Sequence, residues 1–128
     1  NYIFGLPNDT LQSMQYTLDF AIENSTDMAN FYSAMAYPGS PLYLQAKKES
    51  IDLPSSYSGY SQHSYNTLNM SNENLTATQI LEFRDSAWDK YHTNSKYLTQ
   101  LETKYGQAAR KELEQTTTVK LKRKILGD

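Results

Sequence analysis

Between Thr10 and Asn24 the apolar residues Leu11, Met14, Leu18 and Ile22, with Ala21 beside them, recur at three- and four-residue spacing. That period places them on one arc of an amphipathic α-helix. Tyr16 and Phe20 fall on the opposite side, so a later helix or a missing neighbour is expected to cover them. Ahead of this segment "NYIFG" is a short β-rich run closed by Gly5-Leu6-Pro7, and Asn8-Asp9-Thr10 offers several side chains able to cap the helix start.

After a break at Ser25-Thr26-Asp27, "MANFYSAMA" is strand-compatible in its aromatic centre. Pro38 forces Tyr37 away from helical angles, so a second strand is expected to end near Ala36. Pro41 suits the first turn of a helix, where its missing N–H costs nothing, and "PLYLQAKKES" reads as a short helix. The order is βαβα, and a helix between two strands gives room for a right-handed crossover that leaves them parallel.

Residues 54 to 72, "PSSYSGYSQHSYNTLNMSN", lose all periodicity and read as a long loop whose tyrosines favour partial packing. Thr76 or Thr78 opens a helix to about Tyr91, with Ile80, Leu81, Phe83, Ala87, Trp88 and Tyr91 in one broad stripe opposite Glu82, Asp85 and Asp89. Another runs from Ser95, with Tyr97, Leu98, Leu101 and Tyr105 inward, to a stop at Gly106. The tail after it is helix-prone, then Thr-rich, then basic, and its end is expected to fray. Three regions result: 1–50 with the βαβα pattern, the Tyr/Ser-rich loop at 51–75, and a helical region at 76–128 with a basic tail.

Composition narrows the chemistry. A chain of 128 residues, 38% hydrophobic, supports one small core. A formal net charge of −2 gives no overall footprint for nucleic acid or acidic ligands. The absence of cysteine excludes disulfides, thiolate zinc, iron–sulfur ligation and a cysteine nucleophile from this chain. No apolar run reaches the roughly 18 residues of a membrane span, and "NYIFGLP" lacks the shape of a secretory signal, so a cytoplasmic location is expected. Four Asn-x-Ser/Thr matches, the first at Asn8, are weighed as chance in so Asn- and Ser-rich a sequence. The sequence has no initiating Met and opens in mid-strand, as expected of a piece of something longer.

Gly5-Leu6-Pro7 and Tyr37-Pro38-Gly39-Ser40-Pro41 occupy corresponding places at the carboxyl ends of the two expected strands. In parallel α/β sheets and barrels that edge is where ligands bind, because loops and helix N-termini present free backbone N–H groups there. Turn punctuation alone also explains both corners. "YIFGLPNDTLQSMQYTLDFAIE" followed by "NFYSAMAYPGSPLYLQAKK" resembles the last two βα units of the partial TIM-type barrel of radical S-adenosylmethionine (radical SAM) enzymes. The class meant carries a cobalamin (B12)-binding domain ahead of the barrel and includes anaerobic magnesium-protoporphyrin monomethyl ester cyclase-like Fe–S oxidoreductases and methyltransferases. "ILEFRDSAWDKY" resembles the helical C-terminal extension of that class.

The resemblance implies an α/β architecture, helix-rich overall. It implies a parent enzyme in which a [4Fe–4S] cluster splits S-adenosylmethionine to a 5′-deoxyadenosyl radical, with cobalamin as a further cofactor. Gly5, Leu6 and Pro7 would line the exit of the fifth strand, and Ala36, Tyr37 and Pro38 would lie near the nucleoside, by backbone contacts. The three-cysteine cluster motif belongs to an earlier strand, so this cysteine-free chain is expected to be inactive alone. It would contribute part of the cofactor and substrate rim, with the remainder of the parent polypeptide and a small-molecule substrate as its partners.

No catalytic acid–base pair, hydrolase arrangement or metal site emerges from the remaining residues. His63 and His92 are the only histidines and lack ligand spacing, so both read as surface polar groups. Arg84, inside an apolar stripe, reads as a stem packed on the core with its guanidinium paired to an acid. Trp88 reads as core. Lys120, Lys122, Arg123 and Lys124 with eleven tyrosines define the alternative, a protein- or RNA-binding module, although no basic–aromatic interleaving accompanies them and nucleic acid is not the expected partner. Open strand edges and the Tyr16/Phe20 face favour self-association.

Overall fold

The computed structural model describes all 128 residues. Two short strands, β1 (Tyr2–Phe4) and β2 (Phe31–Ser33), pair in parallel, Tyr2 opposite Phe31 and Phe4 opposite Ser33. The helix α1 (Leu11–Asn24) crosses between them, and α2 (Pro41–Lys48) follows β2. A 3₁₀ turn at Tyr57–Tyr60 interrupts the loop. Three helices then complete a helix-rich chain: α3 (Ala77–His92), α4 (Ser95–Tyr105) and α5 (Gln107–Thr117). A last 3₁₀ turn spans Lys124–Leu126. No helix is long and apolar enough to cross a membrane.

Local chemistry explains the boundaries. Thr10 with Ser13, and Thr76 with Gln79, form reciprocal capping boxes at the starts of α1 and α3. Ser40 caps α2 just ahead of Pro41, and the Asn94 side chain caps α4. Gly106, at φ +87°, ends α4 and lets α5 restart.

The core forms where the sheet meets α1 and α3. Phe4 and Phe31 are fully buried with ring centroids 5.8 Å apart, and Tyr91 meets Phe31 edge-on at 5.4 Å. Burying each phenylalanine ring is worth about 1.5–3 kcal/mol. Met14, Leu18 and Ala21 of α1 and Ile80 and Ala87 of α3 complete this cluster. Gly5 permits the closest approach: at φ +81°, a Cβ there would lie 2.6 Å from Ile80 Cγ2. A smaller cluster, Ala36, Ala46 and Met70, seats α2 against the loop.

Several positions differ from the expectation. β2 ends at Ser33, not near Ala36. Gly5 turns β1 away, Leu6 N–H donates to Asp9, and the Ala34 carbonyl accepts from Met70 N–H instead of from a continuing β1. Leu11, on the expected inner arc, is 51% exposed, and Tyr105 is exposed at the end of α4. Neither Tyr16, 74% exposed, nor Phe20 is covered by a later helix, because α3 packs on the Met14/Leu18/Ala21 side.

The C-terminal end does not fray. Lys124 N–H donates to Tyr65 O at 2.9 Å, Tyr65 Oη donates to Asp128 O at 2.9 Å, and Arg123 is fully buried. His92 is buried too, among Trp88, Tyr91 and Tyr97 rings, which corrects its reading as a surface group.

The two edges of the sheet are unlike. On the outer side of β2, Arg84 Nε donates to Phe31 O at 2.7 Å. The Gln62 side-chain amide takes both backbone groups of Ser33, accepting from its N–H at 3.1 Å and donating to its C=O at 2.9 Å. Side chains thus stand where a third strand would pair. On β1, Tyr2 and Phe4 turn their backbone groups to β2, leaving those of Ile3 on an open edge with a 48% exposed side chain. Only one of the two edges expected to be open is so.

Candidate functional site

Because the strands run parallel, the corners that follow them, Gly5-Leu6-Pro7 and Ala36-Tyr37-Pro38, lie at the same end of the sheet. The first corner is closed on itself. Asp9 Oδ2 accepts from Gly5 N–H and from Leu6 N–H, both at 3.0 Å. Asn72 Nδ2 donates to Leu6 O at 2.9 Å and to Asp9 O at 3.1 Å, tying the corner to the loop before α3. The donors expected to be free at Gly5 and Leu6 are therefore occupied within the chain.

The second corner keeps its backbone groups. Ala36 is only 2% exposed, yet its N–H and C=O meet no protein partner, and Tyr37 N–H meets none either. Buried backbone groups without a partner cost about as much as a lost hydrogen bond, so such a lip favours a ligand or water that fills the gap. Tyr37 C=O accepts from Ser40 N–H at 3.0 Å, closing the Pro38-Gly39 turn. The Tyr37 ring is half exposed and stacks on Tyr60, centroids 6.0 Å apart. Burial, with Tyr43 nearby, holds the Tyr60 phenol above its usual range, so that ring stays neutral at physiological pH. A planar polar group can be held here by stacking and backbone contacts. Pro38 is exposed beside it.

A shallow cavity of about 220 Å³ opens between the first corner, α2 and the loop before α3. Pro7 is the one expected site residue that lines it, beside Gln45, Glu49, Met70 and Asn72. No group of three or more His, Asp or Glu side chains could hold a metal ion, and no cysteine is present. The residues of this chain do not fit a [4Fe–4S] cluster.

A larger cavity, about 560 Å³, lies away from this lip, between α3 and the 116–126 segment. Arg84 and Asp85 form its floor, and His63, Trp88, Lys120 and Leu121 stand around it. Arg84 Nη1 donates to Asp85 Oδ1 at 2.7 Å, while Arg123 grips both oxygens of the same carboxylate. Arg84 pairs with an acid as its sequence context suggested; Trp88 packs against the core cluster, as expected, and its half-buried ring also borders the cavity. Arg84 Nη2 also lies 3.4 Å from His63 Nε2. An arginine can only donate, so Nε2 accepts and the ring proton sits on Nδ1. Burial and the guanidiniums of Arg84 and Arg123 hold the His63 pKa below the usual histidine range.

Sequence reasoning missed this second site. Its members are spread over His63, α3 and residues 116–126, and only Arg84, a charge inside an apolar stripe, marked it. Half of the basic end is also used up: Lys120 pairs with Asp89 at 2.6 Å and Arg123 is buried. No protein-family model matches the chain, and no curated protein or solved structure matches it.

Proposed function

We propose that residues 1–50 are the last two βα units of a radical S-adenosylmethionine barrel of the cobalamin-domain class, and that residues 76–128 are its helical extension. The observation that carries the reading is the asymmetry of the sheet. In a partial barrel the last strand ends the wall, and here β2 has its outer edge plugged by Gln62 and Arg84. β1 keeps an open edge at Ile3, where the preceding strand of a barrel would pair. The exposed Tyr16 and Phe20 of α1 form the face on which that unit's helix would pack.

The lip supports the same reading at its second corner. S-adenosylmethionine supplies, when cleaved, the radical that abstracts hydrogen. This chain's own part would be to hold the nucleoside: the unpartnered Ala36 and Tyr37 backbone groups would meet the edge of the base, and the half-exposed Tyr37 ring would offer it a stacking surface. Pro38 stiffens the turn behind them. At the first corner, Gly5, Leu6 and Pro7 shape the wall, with Gly5 and Leu6 N–H committed to Asp9. The cluster and any cobalamin belong to the remainder of the parent polypeptide, so the chain is inactive alone.

The alternative, a protein- or RNA-binding module, draws less support. Two of its four basic residues are engaged internally, leaving Lys122 and Lys124 exposed without an aromatic platform beside them. The test is the coding sequence upstream of Asn1. A Cys-x-x-x-Cys-x-x-Cys motif after a predicted strand is the expected result. An upstream sequence without any such cysteine triplet overturns the reading.

A further inference from the structure

The cavity between α3 and the 116–126 segment lies away from the lip and plays no part in the proposed function. We propose that it binds a small amphipathic carboxylate, its apolar body against Trp88, Val119, Leu121 and Leu126 and its head toward Arg84 and His63.

The size fits. About 560 Å³ falls within the roughly 300–1,000 Å³ of small-molecule sites. The apolar wall is held in place while open to solvent: Leu121 is 41% exposed, yet the segment carrying it is anchored two residues later by the fully buried Arg123. Ordered apolar side chains left against solvent beside a cavity favour an apolar occupant.

The floor decides the sign of its charge. The buried Arg84 and Arg123 share the single, partly exposed carboxylate of Asp85, leaving one positive charge in excess among the three groups. The donors of Arg123 are satisfied: Nε and Nη2 by Asp85, and Nη1 by Gln62 O, Ser64 O and Thr67 Oγ1. The excess is therefore presented through Arg84, whose Nη2 makes only the long contact to His63. At His63 the two guanidiniums outweigh Asp85, so the field there is positive. The other acids on the wall do not cancel it: Asp89 is paired with Lys120, and Glu82 is exposed at the margin. A carboxylate at the floor would balance the charge and gain charge-assisted hydrogen bonds.

The chain's single tryptophan is Trp88, so its fluorescence reports the cavity directly. Octanoate, octanol and octylammonium, titrated separately, share one tail and differ in head charge. Octanoate is expected to shift Trp88 emission saturably and to bind about tenfold more tightly than either other amphiphile, the effect of one charge-assisted hydrogen bond. Leu121→Glu, at a half-exposed position where far-ultraviolet circular dichroism should stay unchanged, is expected to abolish binding, and Glu82→Gln to strengthen it. Equal or tighter binding of octanol or octylammonium, the absence of any saturable shift, or undiminished octanoate binding to Leu121→Glu overturns the proposal.

Discussion

Arg123 Nε and Nη2 each lie 3.0 Å from an oxygen of Asp85, a two-pronged grip that joins the end of the chain to the middle of α3. Arg84 approaches the same carboxylate from its own helix at 2.7 Å. One carboxylate thereby organises two guanidiniums, of which Arg84 also seals Phe31 on the edge of β2. The sheet edge, α3 and the C-terminal segment are tied through a single acidic side chain.

Asp85→Asn removes the only acid that compensates two buried arginines, whereas Arg123→Met removes one arginine and leaves Asp85 still paired with Arg84. Breaking a buried ion pair on the side that strands charge costs about 3–5 kcal/mol. Urea unfolding should show Asp85→Asn in that range and Arg123→Met less destabilised. The reverse order would mean that Asp85 is not the hub.

Gly5→Ala and Gly39→Ala separate backbone strain from steric overlap. Both glycines have positive φ, +81° and +88°, but only at Gly5 would a new Cβ meet a neighbour, Ile80 at 2.6 Å; at Gly39 there is open space. Gly39→Ala should cost about 1 kcal/mol from conformation alone, and Gly5→Ala at least 2–3 kcal/mol more because Ile80 must move. Thermal melts of Gly5→Ala in an Ile80→Val background should recover part of the difference. A lack of any such recovery would remove the steric explanation.

His92 links stability to pH. Burial holds its pKa below the ordinary value of 6.5, only partly offset by the hydrogen bond from Nδ1 to Trp88 O at 2.8 Å and by Asp89. The unfolded chain takes up this proton at a higher pH than the folded one. The contribution of neutral His92 is therefore complete above about pH 6.5 and declines as pH falls toward the lowered folded value. Unfolding free energies measured from pH 8 to pH 5 should fall more steeply for the native chain than for His92→Phe. Identical slopes would show that His92 does not carry the dependence.

Ile3 is where self-association is expected. Its backbone lies on the open edge of β1, and Leu6, Leu11, Tyr16 and Phe20 are exposed apolar groups on β1's exit and α1. Light scattering at high concentration should show species larger than the monomer, and Ile3→Lys, a charge on an exposed strand edge, should shift them toward the monomer. A clean monomer at every concentration would argue that the edge is inert.

Much of the architecture was legible locally. The three- and four-residue spacing of Met14, Leu18 and Ala21, the Thr10 and Thr76 caps, Pro41 at a first turn and Gly106 as a stop each act within a few residues. The parallel pairing followed from the helix between two strands. Less visible was the candidate site: strand-end position alone marks Gly5 and Leu6 as free donors, whereas Asp9, only a few residues on, accepts from both.

By itself the sequence determined which segments become helix or strand and, away from element ends such as Leu11 and Tyr105, which faces turn inward, because periodicity and capping are short-range effects. Tertiary structure alone decided the fate of single polar groups: that Gln62 would stand in for a strand at Ser33, that His92 would be buried, and that Arg123 would leave a basic tail for the Asp85 carboxylate. Those outcomes depend on partners 29 to 61 residues away, for His92 the Phe31 ring. Hydrogen bonds and ion pairs are directional and cross such distances only once the apolar core has brought their partners together, and no local spacing encodes them.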